Sequence, residues 1–113
     1  MKTNFDEQLL PEMNKIYKVL SNPTRVKLLY LLEDNEMTVN EIAEKLDLAQ
    51  SVVSHQLAIL REHQLISFHK KGKYVSYSLD DPHILCILDC TYDHVRHVVK
   101  GEPHQYELEI KKL

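Results

Sequence analysis

Residues 38–63 read TVNEIAEKLDLAQSVVSHQLAILREH, and this stretch decides the fold. Thr38 and Glu41 have the spacing of a capping box, in which each side chain caps the other's backbone N–H. Behind them Val39, Ile42, Ala43 and Leu46 recur at helical spacing and form one apolar face. This short helix is predicted to stop near Asp47. A second helix starts almost at once, near Ala49, with Val53, Leu57 and Leu60 as its apolar positions. Its opposite face carries Gln50, Ser51, Ser54, His55 and Arg61. Two short helices joined by a tight turn form a helix-turn-helix pattern over about residues 38–63.

The flanking segments extend this pattern. Downstream, Leu65–His69 and Tyr74–Leu79 read as two strands. In the second, Val75, Tyr77 and Leu79 alternate with Tyr74, Ser76 and Ser78. Lys70-Lys71-Gly72-Lys73 is the turn, where Gly72 can take positive φ. The hairpin over about 65–79 is the expected wing. Upstream, Leu9, Met13, Ile16, Tyr17 and Leu20 recur at helical spacing, so a first helix runs from about Asp6 to Leu20. Asn22 then Pro23 reads as N-cap and first helical position of a second helix, with Val26, Leu29 and Leu32 inward. The polar stretch from Glu33 to Glu36 ends it. After the wing, Asp81-Pro82 again reads as cap and first position. That last helix continues to about Lys100, where Gly101 and Pro103 stop it, and a polar tail covers 101–113. The expected fold is mainly α with a small β-hairpin, a winged helix-turn-helix that dimerises through its first and last helices.

Composition bounds the function. A chain of 113 residues with 43% apolar content fits one domain, and dimerisation would supplement its modest core. No apolar run is long enough to span a membrane, and the start of the chain carries no apolar signal segment, so a cytoplasmic protein is expected. Two cysteines, Cys86 and Cys90, are too few for a disulfide scaffold. The net charge is −3, which alone does not suggest nucleic acid. Its distribution does: between Gln50 and Tyr77, Arg61, Lys70, Lys71 and Lys73 face a single acidic residue, Glu62.

Chemistry assigns these residues roles on double-stranded operator DNA. A reading helix needs small polar residues outside so that its backbone approaches base edges. Gln50, Ser51, Ser54 and His55 supply that face. Gln pairs bidentately with adenine, and Ser bonds bases or phosphates. Arg61 and the wing lysines Lys70, Lys71 and Lys73 would meet phosphate or the minor groove.

The last helix carries Asp81-x-His83 and then His94-x-x-His97. His94 and His97 share a face and can hold one ion together. Asp81 and His83 can do the same at the helix start. His83 and His94 are eleven residues apart, roughly 16 Å along a helix that rises 1.5 Å per residue. Zinc–nitrogen bonds are about 2.0–2.1 Å, so one helix cannot bring both pairs to one ion. Two antiparallel copies can, with two equivalent sites in a homodimer. One carboxylate and three imidazoles suit tetrahedral Zn(II), or Co(II). Ni(II) would want more ligands, and His104 in the tail is a conceivable fifth. The same pairing places Cys86 and Cys90 of opposite chains near the dyad. There they act as small interface packing, as an interchain disulfide, or as a soft-metal site.

At this point the chain resembles the ArsR/SmtB family of metal-responsive repressors, its zinc/cobalt-sensing branch most of all. The likeness covers nearly the whole chain. Residues 48–57, LAQSVVSHQL, resemble that family's recognition helix, and the Asp81, His83, His94 and His97 pattern resembles its last-helix metal motif at all four positions. The resemblance implies that metal binding across the dimer lowers operator affinity and derepresses an efflux or resistance gene. It also implies a hydrogen bond from a ligand histidine to a backbone carbonyl near His63-Gln64. The family's other site type, a cysteine pair on the helix before recognition, is missing from Asn40-Glu41-Ile42-Ala43-Glu44-Lys45-Leu46. That argues against a cadmium, lead or arsenic sensor of that type.

Two other classes compete. A small zinc hydrolase would need a general base, a nucleophile and a cleft for a small organic substrate, and the sequence offers none, so no catalytic residue is expected. A constitutive or thiol-responsive repressor would use Cys86 and Cys90 instead of the histidines.

Overall fold

The computed structural model describes residues 3–101. The chain divides into two compact units, one ending at Asp80 and the other starting at Asp81. The expected tail, with His104, lies outside the described residues.

In the first unit a 3-10 turn, Glu7–Leu9, leads into α1, Leu10–Leu20. Asp6 starts the turn by accepting from Gln8 N–H at 2.9 Å. The expected single helix from Asp6 is therefore a tight turn followed by a helix, with Pro11 placed where no N–H is needed. Helix α2, Pro23–Asp34, begins as expected: Asn22 accepts from Arg25 N–H at 3.1 Å and Pro23 opens the first turn. Leu28, Leu29 and Leu32 are its buried residues; Leu28 takes the place expected for Val26, which is only half-buried.

Helix α3, Val39–Leu46, carries the full reciprocal capping box of Thr38 and Glu41. It ends at Asp47 in the left-handed conformation, φ 54°, which a short polar side chain tolerates. Leu48 N–H then donates to Ala43 carbonyl at 3.0 Å. Three residues after α3, helix α4, Gln50–Glu62, begins and buries Val53, Leu57 and Leu60, the residues the spacing predicts. The fully buried side chains Leu28, Leu29, Ile42, Val53, Leu57, Leu60 and Ile66 bring α2, α3, α4 and the wing to one core. Each contributes about 1.5–3 kcal/mol through burial.

The sheet has three strands where a two-stranded hairpin was expected. They are β1, Met37–Thr38, β2, Ile66–Lys71, and β3, Tyr74–Leu79, in the order β1-β3-β2. β3 is central: Ser76 pairs with Thr38 on one side and with His69 on the other. It is also the buried residue of that strand, while Val75, Tyr77 and Leu79 are half-buried. The turn is tighter than the four residues expected. Lys71 pairs with Tyr74, leaving Gly72 and Lys73 as the loop. Gly72 has φ +61° and Lys73 does not share that region, the pattern of a II′ turn.

Arg25 holds three elements together. Its guanidinium donates to Val19 carbonyl at 2.7 Å, to Lys18 carbonyl at 3.3 Å and to Gln56 Oε1 at 3.0 Å. The last turn of α1 is thereby tied through α2 to α4. Arg25→Ala is expected to cost about 2 kcal/mol, since hydrogen bonds from a charged donor contribute roughly 1.5–3 kcal/mol and the site is part-buried. Urea unfolding should show a lower midpoint with an unchanged slope.

The second unit is α5, His83–Lys100, a continuous helix of 18 residues. Gly101 closes it with φ +70°, its N–H donating to His97 carbonyl at 3.0 Å. Pro82, not Asp81, occupies the N-cap position. Asp81 still accepts the His83 N–H at 2.9 Å. Among the described residues no helix is long and apolar enough to cross a membrane.

Candidate nucleic-acid interface and metal centre

Gln50, Ser51, Ser54, His55 and Arg61 are all exposed on α4. At about 100° per residue Ser51, Ser54 and His55 turn away from the buried Val53, Leu57 and Leu60, whereas Gln50 and Arg61, expected opposite, flank that stripe. Gln50 and Ser51 form the first turn of that helix, the end that approaches base edges in helix-turn-helix readers. Ala49 is the N-cap residue and provides no side-chain hydrogen bond. Val52 N–H donates to the Ala49 carbonyl at 3.1 Å, so it is the Gln50 and Ser51 N–H groups that are left for water or a phosphate oxygen, with the positive end of the helix dipole behind them. Sequence reasoning missed this feature, and its signal is alanine where Ser, Thr, Asn or Asp is usual. Ala49→Asp is expected to raise thermal stability by about 1 kcal/mol while weakening operator binding, because the new carboxylate meets phosphate. Melting curves and binding isotherms on the same variant should move in opposite directions.

Arg61 is partly engaged within the chain. Its guanidinium carbon stands 4.0 Å from the centre of the Phe68 ring and links the end of α4 to the wing. Phe68 in turn packs on Tyr77 at 5.9 Å between ring centres.

The wing lysines are not equivalent. Lys70, Lys71 and Lys73 are all exposed. Lys71 pairs with Glu36, just before β1, and His69 Nε2 lies 3.4 Å from the other oxygen of that carboxylate. The Lys71 hydrogen bond, with the nearby His69, holds the Glu36 carboxyl below the usual carboxylate range. Glu36 thus fastens the wing to the strand that closes the sheet, a link invisible to periodicity.

On α5, His83, Cys86, Cys90, His94 and His97 are exposed. Asp81 Oδ1 lies 2.8 Å from His83 Nδ1 in addition to accepting the His83 N–H. That backbone hydrogen bond first, and the ring contact second, keep the Asp81 carboxyl below its usual range, hence ionised. Nδ1 is thereby engaged, and His83 Nε2 is left as the nitrogen for an ion. Among the described residues no three His, Cys, Asp or Glu side chains of one chain gather around a common point. The donor set is chemically suited to Zn(II) or Co(II), but Asp81 and His83 stand at one end of α5 and His94 and His97 near the other.

An exposed reading helix in a helix-turn-helix, followed by a basic wing, is the arrangement of a winged helix-turn-helix transcriptional regulator. The family model for bacterial regulatory proteins of the arsR family matches residues 22–67. The chain is 33% identical over 98 residues to the cadmium resistance transcriptional regulatory protein CadC homolog of Staphylococcus aureus, covering 86% of this chain and 81% of that one. It is 43% identical over 68 residues to the transcriptional repressor SdpR of Bacillus subtilis, covering 60% of this chain and 76% of that one. The chain belongs to the ArsR family. Its fold is similar to that of the homodimeric winged helix-turn-helix DNA-binding domain Mb0332 of Mycobacterium bovis. The TM-score is 0.76 at 19% identity, over 92% of this chain and 99% of that one.

Proposed function

We propose that the protein is a metal-responsive repressor that binds a roughly palindromic operator as an apo homodimer and releases it when Zn(II), or Co(II), binds between the two last helices. Asp81 and His83 of one chain, with the partner's His94 and His97, hold each ion. Release derepresses a metal efflux or resistance gene. One observation carries this reading: the Asp81–His83 pair stands at the start of one unbroken helix and the His94–His97 pair near its end. Neither pair is a complete site, and an antiparallel copy completes both. The bound ion supplies a cross-link between subunits. Asp81 orients the His83 ring and balances charge, and the imidazoles must lose their protons to ligate, so acid weakens the response.

The DNA-reading half follows from α4 and the wing. Gln50, Ser51, Ser54 and His55 read the major groove, and two such helices in a dimer reach successive turns of the duplex. Lys70 and Lys73 contact phosphate. Each phosphate contact adds about 0.9 to the slope of log affinity against log salt. Replacing both by alanine removes four contacts from the dimer and should lower that slope by about 3.6 on any DNA sequence. Lys71→Ala should lower it less, because its charge is already shared with Glu36.

Equilibrium dialysis tests the assignment: one Zn(II) per protomer is expected at the histidine sites of a dimer, and is lost in His97→Ala. Operator release compared across Zn(II), Co(II), Ni(II) and Cd(II) then ranks the metals. The name of the Staphylococcus aureus relative, a cadmium resistance regulator, supports metal sensing as the class of signal. The free, exposed Cys86 and Cys90 favour a second reading, a thiol-responsive repressor. Dialysis that finds no bound metal would select it.

A further inference from the structure

Cys86 and Cys90 are the chemistry on α5 that the histidine sites leave unused. Both are free and exposed, one turn apart in an unbroken helix. At 100° per residue, His83, Cys86, Cys90, His94 and His97 all fall within about 80° of arc. The cysteines therefore lie on the histidine stripe. Their midpoint is residue 88, and that of His83 and His94 falls between 88 and 89. Any two-fold axis that completes the histidine sites must pass beside the cysteine pair.

We infer that the dimer holds a third metal site on its dyad, a four-thiolate centre made by Cys86 and Cys90 with the partner's Cys86 and the partner's Cys90. The inference rests on the antiparallel α5 pairing of the proposed function. Pairing His83 with the partner's His94 leaves Cys86 and the partner's Cys90 one residue out of register, about 1.5 Å along the axis. The two-fold axis stands perpendicular to the helix pair, so it keeps all four sulfurs on one side of the seam. Thiolate–zinc bonds of about 2.3 Å in a tetrahedron place sulfurs about 3.8 Å apart. Side chains at i and i+4 start about 5–6 Å apart at Cβ, and one further bond each closes that gap. Each chain thus provides two adjacent corners of the tetrahedron, and neither provides four. Four soft sulfurs prefer a thiophilic divalent cation, whereas the histidine sites prefer a borderline one.

The stoichiometry is distinctive: one ion per dimer on the dyad, beside one per protomer at the histidines. Binding is thiolate ligation without redox change; each thiol releases its proton to solvent. An interchain disulfide would consume the same sulfurs, and anaerobic reduced protein keeps that chemistry out.

The full-length dimer, reduced and free of oxygen, is titrated with cadmium chloride while thiolate-to-cadmium charge-transfer absorption is followed. The band is expected to saturate at one Cd(II) per dimer and to keep full intensity in His97→Ala. Cys86→Ser and Cys90→Ser should each lose at least half of it, and the double variant all of it. The serine variants should remain dimeric by sedimentation and bind operator normally, which shows that they fold. No band, a band saturating at one Cd(II) per protomer, or a band unchanged in either serine variant overturns the inference. A zinc response without the cadmium band defeats this site alone. The band without a zinc response defeats the proposed regulation alone. A monomer defeats both.

Discussion

His97→Ala should leave apo operator binding within about two-fold of the parent and weaken Zn(II) binding by about 100-fold or more. Loss of an outer partner of a metal ligand already costs about 10–100-fold, and His97 is proposed as a direct ligand. The site has four ligands, so removing one leaves an incomplete tetrahedron that water must fill. His97 is on α5, while the reading residues are on α4 and in the wing. The substitution therefore changes none of the proposed DNA-contacting residues. His83→Ala should behave alike, because the partner's His97 depends on it. Mixed dimers sharpen the result: one His83→Ala chain with one His97→Ala chain should keep one intact site and one doubly broken one. Titration with a competing zinc chelator, followed by operator binding at saturating zinc, measures both effects. Normal release at normal zinc levels in His97→Ala would remove it from the site.

Gln50→Ala should cost about 1–3 kcal/mol in operator affinity per half-site, the value of one bidentate side chain–base pair. That is roughly five- to 150-fold for each half-site, and the homodimer loses one such contact in both. Gln50 opens α4, is exposed, and stands beside the uncapped N–H groups that Ala49 leaves available. The loss should appear on the operator and nearly vanish on random DNA, with no change in salt slope. A wing-lysine variant should show the reverse signature, a uniform loss with a lower slope. Isotherms on operator and random duplexes at several salt concentrations separate the two. An equal loss on both duplexes would make Gln50 a phosphate contact and remove it from base reading.

The parts of the fold written in local chemistry were legible. The Thr38–Glu41 capping box, the Asn22-Pro23 start of α2, the apolar stripe of Val53, Leu57 and Leu60, and strand Tyr74–Leu79 are all found where the residues predict them. What escaped depends on partners distant in sequence. β1 has two residues, too few for any alternation, and exists because Met37 and Thr38 pair with Tyr77 and Ser76. Arg25 reads as one more charge on a helix until Gln56 and two carbonyls are brought to it. Lys71 reads as a free wing lysine until Glu36 arrives. Periodicity marked Leu9, Met13 and Tyr17 as an apolar face, yet they are 55%, 38% and 54% exposed in the single chain. Spacing reveals that a face is apolar and leaves open what covers it.

The candidate sites divide in the same way. On α4 Ser51, Ser54 and His55 follow from pointing away from its buried stripe, while Gln50 and Arg61 lie beside that stripe and are exposed near the two ends of the helix. The lack of an N-cap at Ala49 has a plain sequence signal that an apolar-pattern search passes over. At the start and along α5 the identity and spacing of Asp81, His83, His94 and His97 are local, and the structure adds the hydrogen bonds that orient His83. Completion of that site requires a second chain, which no periodicity within one chain encodes.

The most direct test is the operator affinity of the dimer, measured by fluorescence anisotropy without metal and with saturating Zn(II) at fixed salt. Coupling between two such sites is commonly about 1–3 kcal/mol, so affinity should fall roughly five- to 150-fold and return when the metal is chelated. An affinity unchanged by saturating Zn(II), in a protein shown to have bound it, would contradict the account.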